Sequence, residues 1–183
     1  MSIHVQSAAR TVASVDPATG RVLRELECAG ESEIKAAVAR ARAAQEAWAE
    51  IGVKRRIATL REFQRGLLEK KSEIAEAITQ EAGKPVAEAL TTEVLVVLDA
   101  VRFLIENAHR LLRDEPIPHG NFATKLKRGR LIREPYGVVG IISPWNYPFS
   151  IPATETLAAL VAGNAVVLKP SEFTSLVDRK SVV

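Results

Sequence analysis

Apolar residues recur at helical spacing through the first two thirds of the chain and run together only near its end. From Glu33 to Glu50, Ile34, Val38, Ala41, Gln45 and Trp48 share one face behind Ser32, a natural N-cap, so a helix is predicted there. A second helix, Lys54 to Lys70, is expected to bury Ile57, Leu60, Leu67 and Leu68. Ser72 is predicted to cap a short third helix that carries Ile74 and Ile78 and closes at Gly83. Pro85 fits the first turn of the longest predicted helix, whose apolar face runs through Leu90, Val94, Val97, Leu98, Val101, Ile105 and Leu112 for about seven turns. Arg110 and Arg113 suit its C-terminus, and Asp114-Glu115-Pro116 ends it.

Strands are predicted at both ends. Thr11 to Leu26 alternates around Asp16-Pro17-Ala18-Thr19-Gly20 and reads as a β-hairpin. Thr124 to Arg133 alternates Leu126 and Leu131 with Lys125, Lys127, Arg128, Arg130 and Arg133, as a strand exposed on one face does. Gly137 to Ser143 is instead a nearly continuous, β-branched apolar run, the signature of a strand buried on both faces of a parallel sheet. After the Pro144 to Pro148 turn, Ile151, Leu157, Leu160 and Val161 predict a helix with Pro152 in its first turn, and Gly163-Asn164 stops it. Ala165 to Leu168 is a second buried strand, ending at Lys169-Pro170-Ser171-Glu172.

Composition narrows the class. With 183 residues, 47% of them hydrophobic, the chain is long enough for one globular core. The net charge of +3 is spread over 25 basic and 22 acidic residues, which argues against a nucleic-acid footprint. No apolar run reaches the ~20 residues that span a bilayer, and the first residues lack a signal peptide's pattern, so no membrane role and a cytoplasmic location are expected. One cysteine, Cys28, excludes an internal disulfide. Glu25, Glu27 and Glu31 place negative charge rather than an activating cation beside it, so it reads as structural or incidental rather than nucleophilic. No metal-ligating set is predicted.

A strand, helix, strand unit with parallel strands brings Asn146 and Lys169 to the carboxyl end of the sheet, where α/β folds bind ligands. An amide, an ammonium and the Glu172 carboxylate suit a ribose or nucleotide. The segments Ile142-Ser143-Pro144-Trp145-Asn146, Gly163-Asn164 and Lys169-Pro170-Ser171-Glu172 resemble, in type and spacing, the NAD(P)-dependent aldehyde dehydrogenase superfamily. Asp16 to Gly20 and Glu81-Ala82-Gly83-Lys84-Pro85 resemble it more weakly, so the likeness extends to about Val177.

The resemblance implies an α/β fold: a hairpin at 11–26, a helical portion at 33–113, an oligomerisation-type strand at 124–133 and, from 136 to 172, the first βαβ of a Rossmann-like doubly wound sheet. It implies oxidation of an aldehyde substrate to a carboxylic acid, with NAD as cofactor and NADP possible, in a dimer or tetramer. Asn146 matches the family's oxyanion donor, against the plainer reading of a helix cap. Lys169 and Glu172 match the pair on the adenosine ribose, against a surface salt bridge, and a carboxylate near the 2′ position favours NAD. Ile142, Ser143, Pro144, Trp145 and Ser171 match the lining of the cofactor cleft, although Trp145 taken singly could equally be core.

The family's nucleophilic cysteine and general-base glutamate have no counterpart in these residues, and 178–183 depart from its pattern, so a truncated piece, inactive alone, is expected. Alternatives are a freestanding nucleotide-binding module and a non-catalytic partner that pairs through 124–133. With only two strands of the sheet present, exposed edges are expected to make the chain marginally stable and prone to association.

Overall fold

A computed structural model describes residues 10–118, 121 and 127–177. The chain begins with the antiparallel strands β1 (Thr11–Val15) and β2 (Val22–Glu27). Between them Asp16 organises a tight turn, its carboxylate accepting from the Ala18 N–H at 2.9 Å and the Thr19 hydroxyl at 2.8 Å. Three long helical segments follow: α1 (Glu31–Glu50), α2 (Gly52–Ala82), and a path made of α3 (Val86–Ala89), a π-helical stretch Leu90–Val94 and α4 (Leu95–Leu111). Strands β3 (Glu115–Ile117) and β4 (Gly129–Leu131) pair antiparallel. The last unit is β5 (Val138–Ile142), α5 (Ser150–Val161) and β6 (Ala165–Lys169), with β5 and β6 parallel.

Several predicted boundaries move. Lys54 to Lys70 and the short helix at Ile74 are one continuous α2, because Leu60, Leu67, Ala75 and Ile78 keep a single buried stripe past Ser72, which lies mid-helix on the exposed side. The cap chemistry of a serine has no effect where the apolar period continues through it. Leu68 is exposed rather than buried, one residue off that stripe. Helix α1 starts earlier than predicted, at Glu31: Gly30 is its N-cap, and the Glu33 carboxylate, not Ser32, accepts the Gly30 N–H at 2.7 Å. Ile34 on α1 is exposed, so the face that packs starts at Val38.

Gly83 does close α2. Its φ of +72° is the left-handed conformation, and its N–H donates to the Thr79 carbonyl at 3.0 Å. Pro85 precedes the next helix as its N-cap instead of sitting in the first turn. The predicted apolar face holds, with Val94, Val97 and Val101 buried, but the π-helical stretch Leu90–Val94 interrupts it and turns Glu93 inward with Val94. Of the predicted strand 124–133 the structure shows β4, Gly129–Leu131; Thr124, Lys125 and Leu126 lie outside the described residues, as does the tail 178–183.

One core joins the helical half to the βαβ unit. Ile57, Leu60, Ile78, Val97 and Val101 from α2 and α4 pack with Phe149, Leu157 and Val161 beside and within α5. Strands β5 and β6 are less enclosed than their apolar run predicts. Only Ile141 of the two is fully buried, because α1 and α5 pack on them while the two strands form a sheet by themselves. No helix among the described residues is long and apolar enough to cross a membrane.

Candidate functional site

Register fixes the geometry at the carboxyl end of β5 and β6. Ile142 pairs with Lys169, and the Ser143 N–H extends the ladder by donating to the Lys169 carbonyl at 3.1 Å. The turn that carries Trp145 and Asn146 and the turn that carries Ser171 and Glu172 therefore leave the sheet side by side. Lys169 Nζ lies 3.2 Å from Glu172 Oε2, both side chains more than half exposed. Hydrogen bonding from its own backbone N–H, and then the Lys169 ammonium, holds the Glu172 carboxyl below its usual pKa. This ion pair exists as the plainer reading has it, and its donors and acceptor still face solvent.

The remaining predicted residues divide by burial. Ile142 and Trp145 are 80 and 60% exposed, and Phe173, which the sequence did not single out, is 64% exposed in the turn after β6. Trp145 is thus not core. Pro144 is half-buried and Ser143 buried. Ser171 is buried and shapes its own turn: its Oγ accepts from the Phe173 N–H at 3.3 Å, and its carbonyl accepts from the Ser175 hydroxyl at 2.7 Å. Asn146 is exposed and its amide makes no hydrogen bond to another described residue. It does not cap α5, whose N-cap is Phe149.

What does hold the ends of α5 is a set of charged and polar side chains from the helical half. Glu93, 0% exposed, accepts the Phe149 and Ser150 N–H groups through Oε2 at 2.8 and 3.0 Å. Its other oxygen lies 2.7 Å from Lys84 Nζ, and that ammonium sits 3.9 Å from the centroid of the Tyr147 ring. At the opposite end Arg56 donates to the carbonyls of Val161 at 3.0 Å and Ala49 at 2.7 Å, Trp48 Nε1 donates to Leu160 at 2.8 Å, and Gln45 donates to Gly163 at 2.9 Å. Burial lowers the Arg56 pKa.

Two more buried groups join distant segments. Glu81 accepts the N–H groups of Leu176 and Val177 at 2.9 and 2.8 Å and the Ser14 hydroxyl at 2.6 Å, tying the hairpin and α2 to the segment after Glu172. Asn164, read from sequence only as a helix stop, accepts the Gly137 N–H at 3.0 Å and donates to the Ala159 carbonyl at 3.1 Å, which sets the start of β5 against the end of α5. The periodicity did not single out Glu81, Glu93 or Arg56. Each is nevertheless a charged residue beside apolar-face neighbours, Ile78, Val94 and Ile57 respectively, and such a charge needs a buried partner.

A parallel βαβ unit with exposed polar and apolar side chains at the carboxyl end of its two strands has the form of the opening unit of a doubly wound α/β fold. The chain belongs to the aldehyde dehydrogenase family, whose sequence profile matches residues 4–182. It is 38% identical over 162 residues to a 4,4'-diapolycopene aldehyde oxidase of Methylomonas sp, covering 88% of this chain and 31% of that protein. Against the mitochondrial succinate-semialdehyde dehydrogenase of Rattus norvegicus it is 38% identical over 159 residues, 87% of this chain and 29% of that one.

Among solved structures, aldehyde dehydrogenase 21 of Physcomitrella patens, in complex with succinate, superposes with a TM-score of 0.86 at 29% identity, covering 97% of this chain and 37% of that one. The NADP-dependent glyceraldehyde-3-phosphate dehydrogenase of Bacillus halodurans gives 0.84 at 32% identity, covering 94 and 36%. The chain spans about a third of the length of the curated relatives it matches. It has the α/β architecture of an incomplete, N-terminal portion of that fold.

Proposed function

We propose that this chain forms the oxyanion-donor and ribose-binding part of an enzyme that oxidises an aldehyde to a carboxylic acid with NAD, and less readily with NADP. The reacting thiol and the general base would come from outside these residues, since the one cysteine, Cys28, is exposed beyond the N-terminal hairpin. The observation that carries this reading is the Ile142 to Lys169 register, which brings the Asn146 turn and the Lys169–Glu172 pair to one end of the sheet.

The residues fit such a cofactor in a specific way. Asn146 has an uncommitted amide, and Lys169 and Glu172 offer donors and an acceptor to a ribose. The N–H groups of Phe149 and Ser150, where a helix N-terminus would hold a phosphate, are taken by Glu93, so the phosphates would bind elsewhere. NAD supplies the hydride acceptor when bound. Asn146 would donate to the carbonyl oxygen as negative charge develops on it, a contribution of roughly 3 to 4 kcal/mol for a preorganised donor.

Relatives that use either nucleotide are similar to this chain, including an NAD-dependent benzaldehyde dehydrogenase of Corynebacterium glutamicum and the NADP-dependent enzyme above, so the preference rests on Glu172. Its carboxylate would accept from a free 2′-hydroxyl and repel a 2′-phosphate. Pairing of complete subunits through the β3–β4 region is supported by the exposed Ile117, Leu131 and Ile132.

The test is an NMR titration of the chain with NAD at millimolar concentration. Shifts should concentrate in Ile142 to Asn146 and Lys169 to Glu172, and the chain mixed with NAD and an aldehyde should form no NADH. Shifts confined to other segments, or turnover by the chain alone, would overturn the reading.

A further inference from the structure

Asn146 sits in a turn that belongs to neither β5 nor α5, and no hydrogen bond from its own side chain to another described residue holds it. Something must nevertheless fix it, because a donor that wanders cannot be preorganised. On the strand side the ladder ends at the Ser143 N–H, three residues away. On the helix side, contacts begin at the next residue. Lys84 Nζ lies under the Tyr147 ring, 3.9 Å from its centroid, and 2.7 Å from Glu93 Oε1, while Glu93 Oε2 takes the Phe149 and Ser150 N–H groups. Glu93 thus holds the backbone just after Pro148, and Lys84 holds the ring of the residue just before it.

We propose that the Lys84–Glu93 pair is the positioning device for Asn146, acting through Tyr147, Phe149 and Ser150; this rests on the reading of Asn146 as the oxyanion donor. Local structure on the helical side serves the same end. Gly83 adopts φ +72°, which ends α2 just before Lys84. The π-helical stretch Leu90–Val94 accommodates a residue more per turn than an α-helix, and Glu93 within it is fully buried. A fully buried carboxylate with an ammonium on one oxygen and two helix N-terminal donors on the other has little freedom to move. The ammonium is divided between Glu93 and the face of Tyr147, so the charge that neutralises Glu93 also steadies the residue next to Asn146.

A purely structural ion pair, one that anchors α5 and nothing more, makes a different prediction. The chain has two tryptophans: Trp145 adjoins Asn146 in the turn, and Trp48 reports the α1–α5 contact through its bond to Leu160. With 5-fluorotryptophan incorporated, the full chain is compared with Lys84→Met, Glu93→Gln and Glu93→Ala by fluorine NMR, by the dispersion of the Asn146 side-chain amide, and by hydrogen exchange at Phe149 and Ser150. In Glu93→Ala those two amides should exchange about tenfold faster or more, the factor that loss of one charge-assisted hydrogen bond implies. The Trp145 resonance and the Asn146 amide should move toward averaged, mobile values while Trp48 holds. Glu93→Gln keeps one acceptor and should be intermediate. Lys84→Met should mobilise Trp145 and Asn146 with little change at Phe149.

Unchanged Trp145 and Asn146 signals in Lys84→Met and Glu93→Gln would overturn the proposal. So would signals of Trp48 that move together with those of Trp145 in all three variants, since the pair would then be an anchor of the whole fold. Neither outcome depends on turnover. A failure of the oxyanion reading would appear separately, as an Asn146→Ala change that leaves the rate of a complete enzyme untouched.

Discussion

Replacing Arg56 with methionine removes a cation that has carbonyls, and no carboxylate, as hydrogen-bond partners among the described residues. Its guanidinium spans the last turns of α1 and α5, donating at 2.7 Å to Ala49 and 3.0 Å to Val161, with a longer 3.4 Å approach to Trp48. The two short bonds are charge-assisted, the one to Val161 buried and the one to Ala49 partly so, each worth about 1.5 to 3 kcal/mol, and the third counts for little at its length. Methionine fills much of the stem volume and removes the cost of burying a charge, but leaves two helix-terminal carbonyls without a donor. The balance is a destabilisation of about 2 to 4 kcal/mol. It is read as a shift of the urea midpoint at unchanged slope, followed by the fluorescence of Trp48, which lies in the same contact. Arg56→Lys keeps the charge but loses the fork and should cost roughly half as much. A methionine variant within ~0.5 kcal/mol of wild type would refute the assignment of Arg56 as the joint between the two helices.

Gly163 has φ +93°, and a Cβ there would lie 3.4 Å from the Arg56 guanidinium, so Gly163→Ala should cost about 1 to 2 kcal/mol in the same urea assay; an unchanged midpoint would contradict it. The Glu172 carboxyl, held low by its own N–H and by Lys169, favours the folded state at neutral pH. That contribution is present above the unfolded-state pKa and is lost as pH falls through the lowered folded value, a window below the ordinary 4.5. In a carbon-detected titration Lys169→Ala should raise the Glu172 midpoint only part of the way, because the backbone hydrogen bond remains. Because β5 and β6 each keep an edge that no other strand among the described residues pairs with, light scattering should find association that grows with concentration; a sharp two-state melt from a monodisperse monomer would contradict this.

Period and composition made much of the architecture legible. The stripes Leu60 to Ile78 and Val94 to Val101, and the apolar runs at Val138 and Ala165, are dictated by the neighbours each residue meets within its own element. At Ser72 a local cap signal coincides with an apolar period that continues beneath it, and the period prevails. The candidate site was legible as a set of residue types at fixed spacing, which is why Asn146, Lys169 and Glu172 could be named before any fold was known. Its supports were not, because Glu93, Glu81 and Arg56, besides the nearer Lys84 and Ala49, each find partners between 56 and 105 residues away, most of them backbone groups whose identity the sequence does not record. Trp145 shows the converse. Its apolar surface suited a core as well as a ligand contact, and the structure leaves it 60% exposed in the turn between β5 and α5.

Oxyanion stabilisation by Asn146 and cofactor binding by Lys169 and Glu172, as proposed, would separate kinetically. A chimera in which residues 10–177 replace the matching segment of the rat succinate-semialdehyde dehydrogenase tests it most directly, by NADH formation from a saturating aldehyde. Asn146→Ala should lower kcat by about 10² to 10³ and leave the KM for NAD nearly unchanged, whereas Lys169→Ala should raise that KM with a smaller effect on kcat. An active chimera whose Asn146→Ala variant turns over at the unsubstituted rate would contradict it.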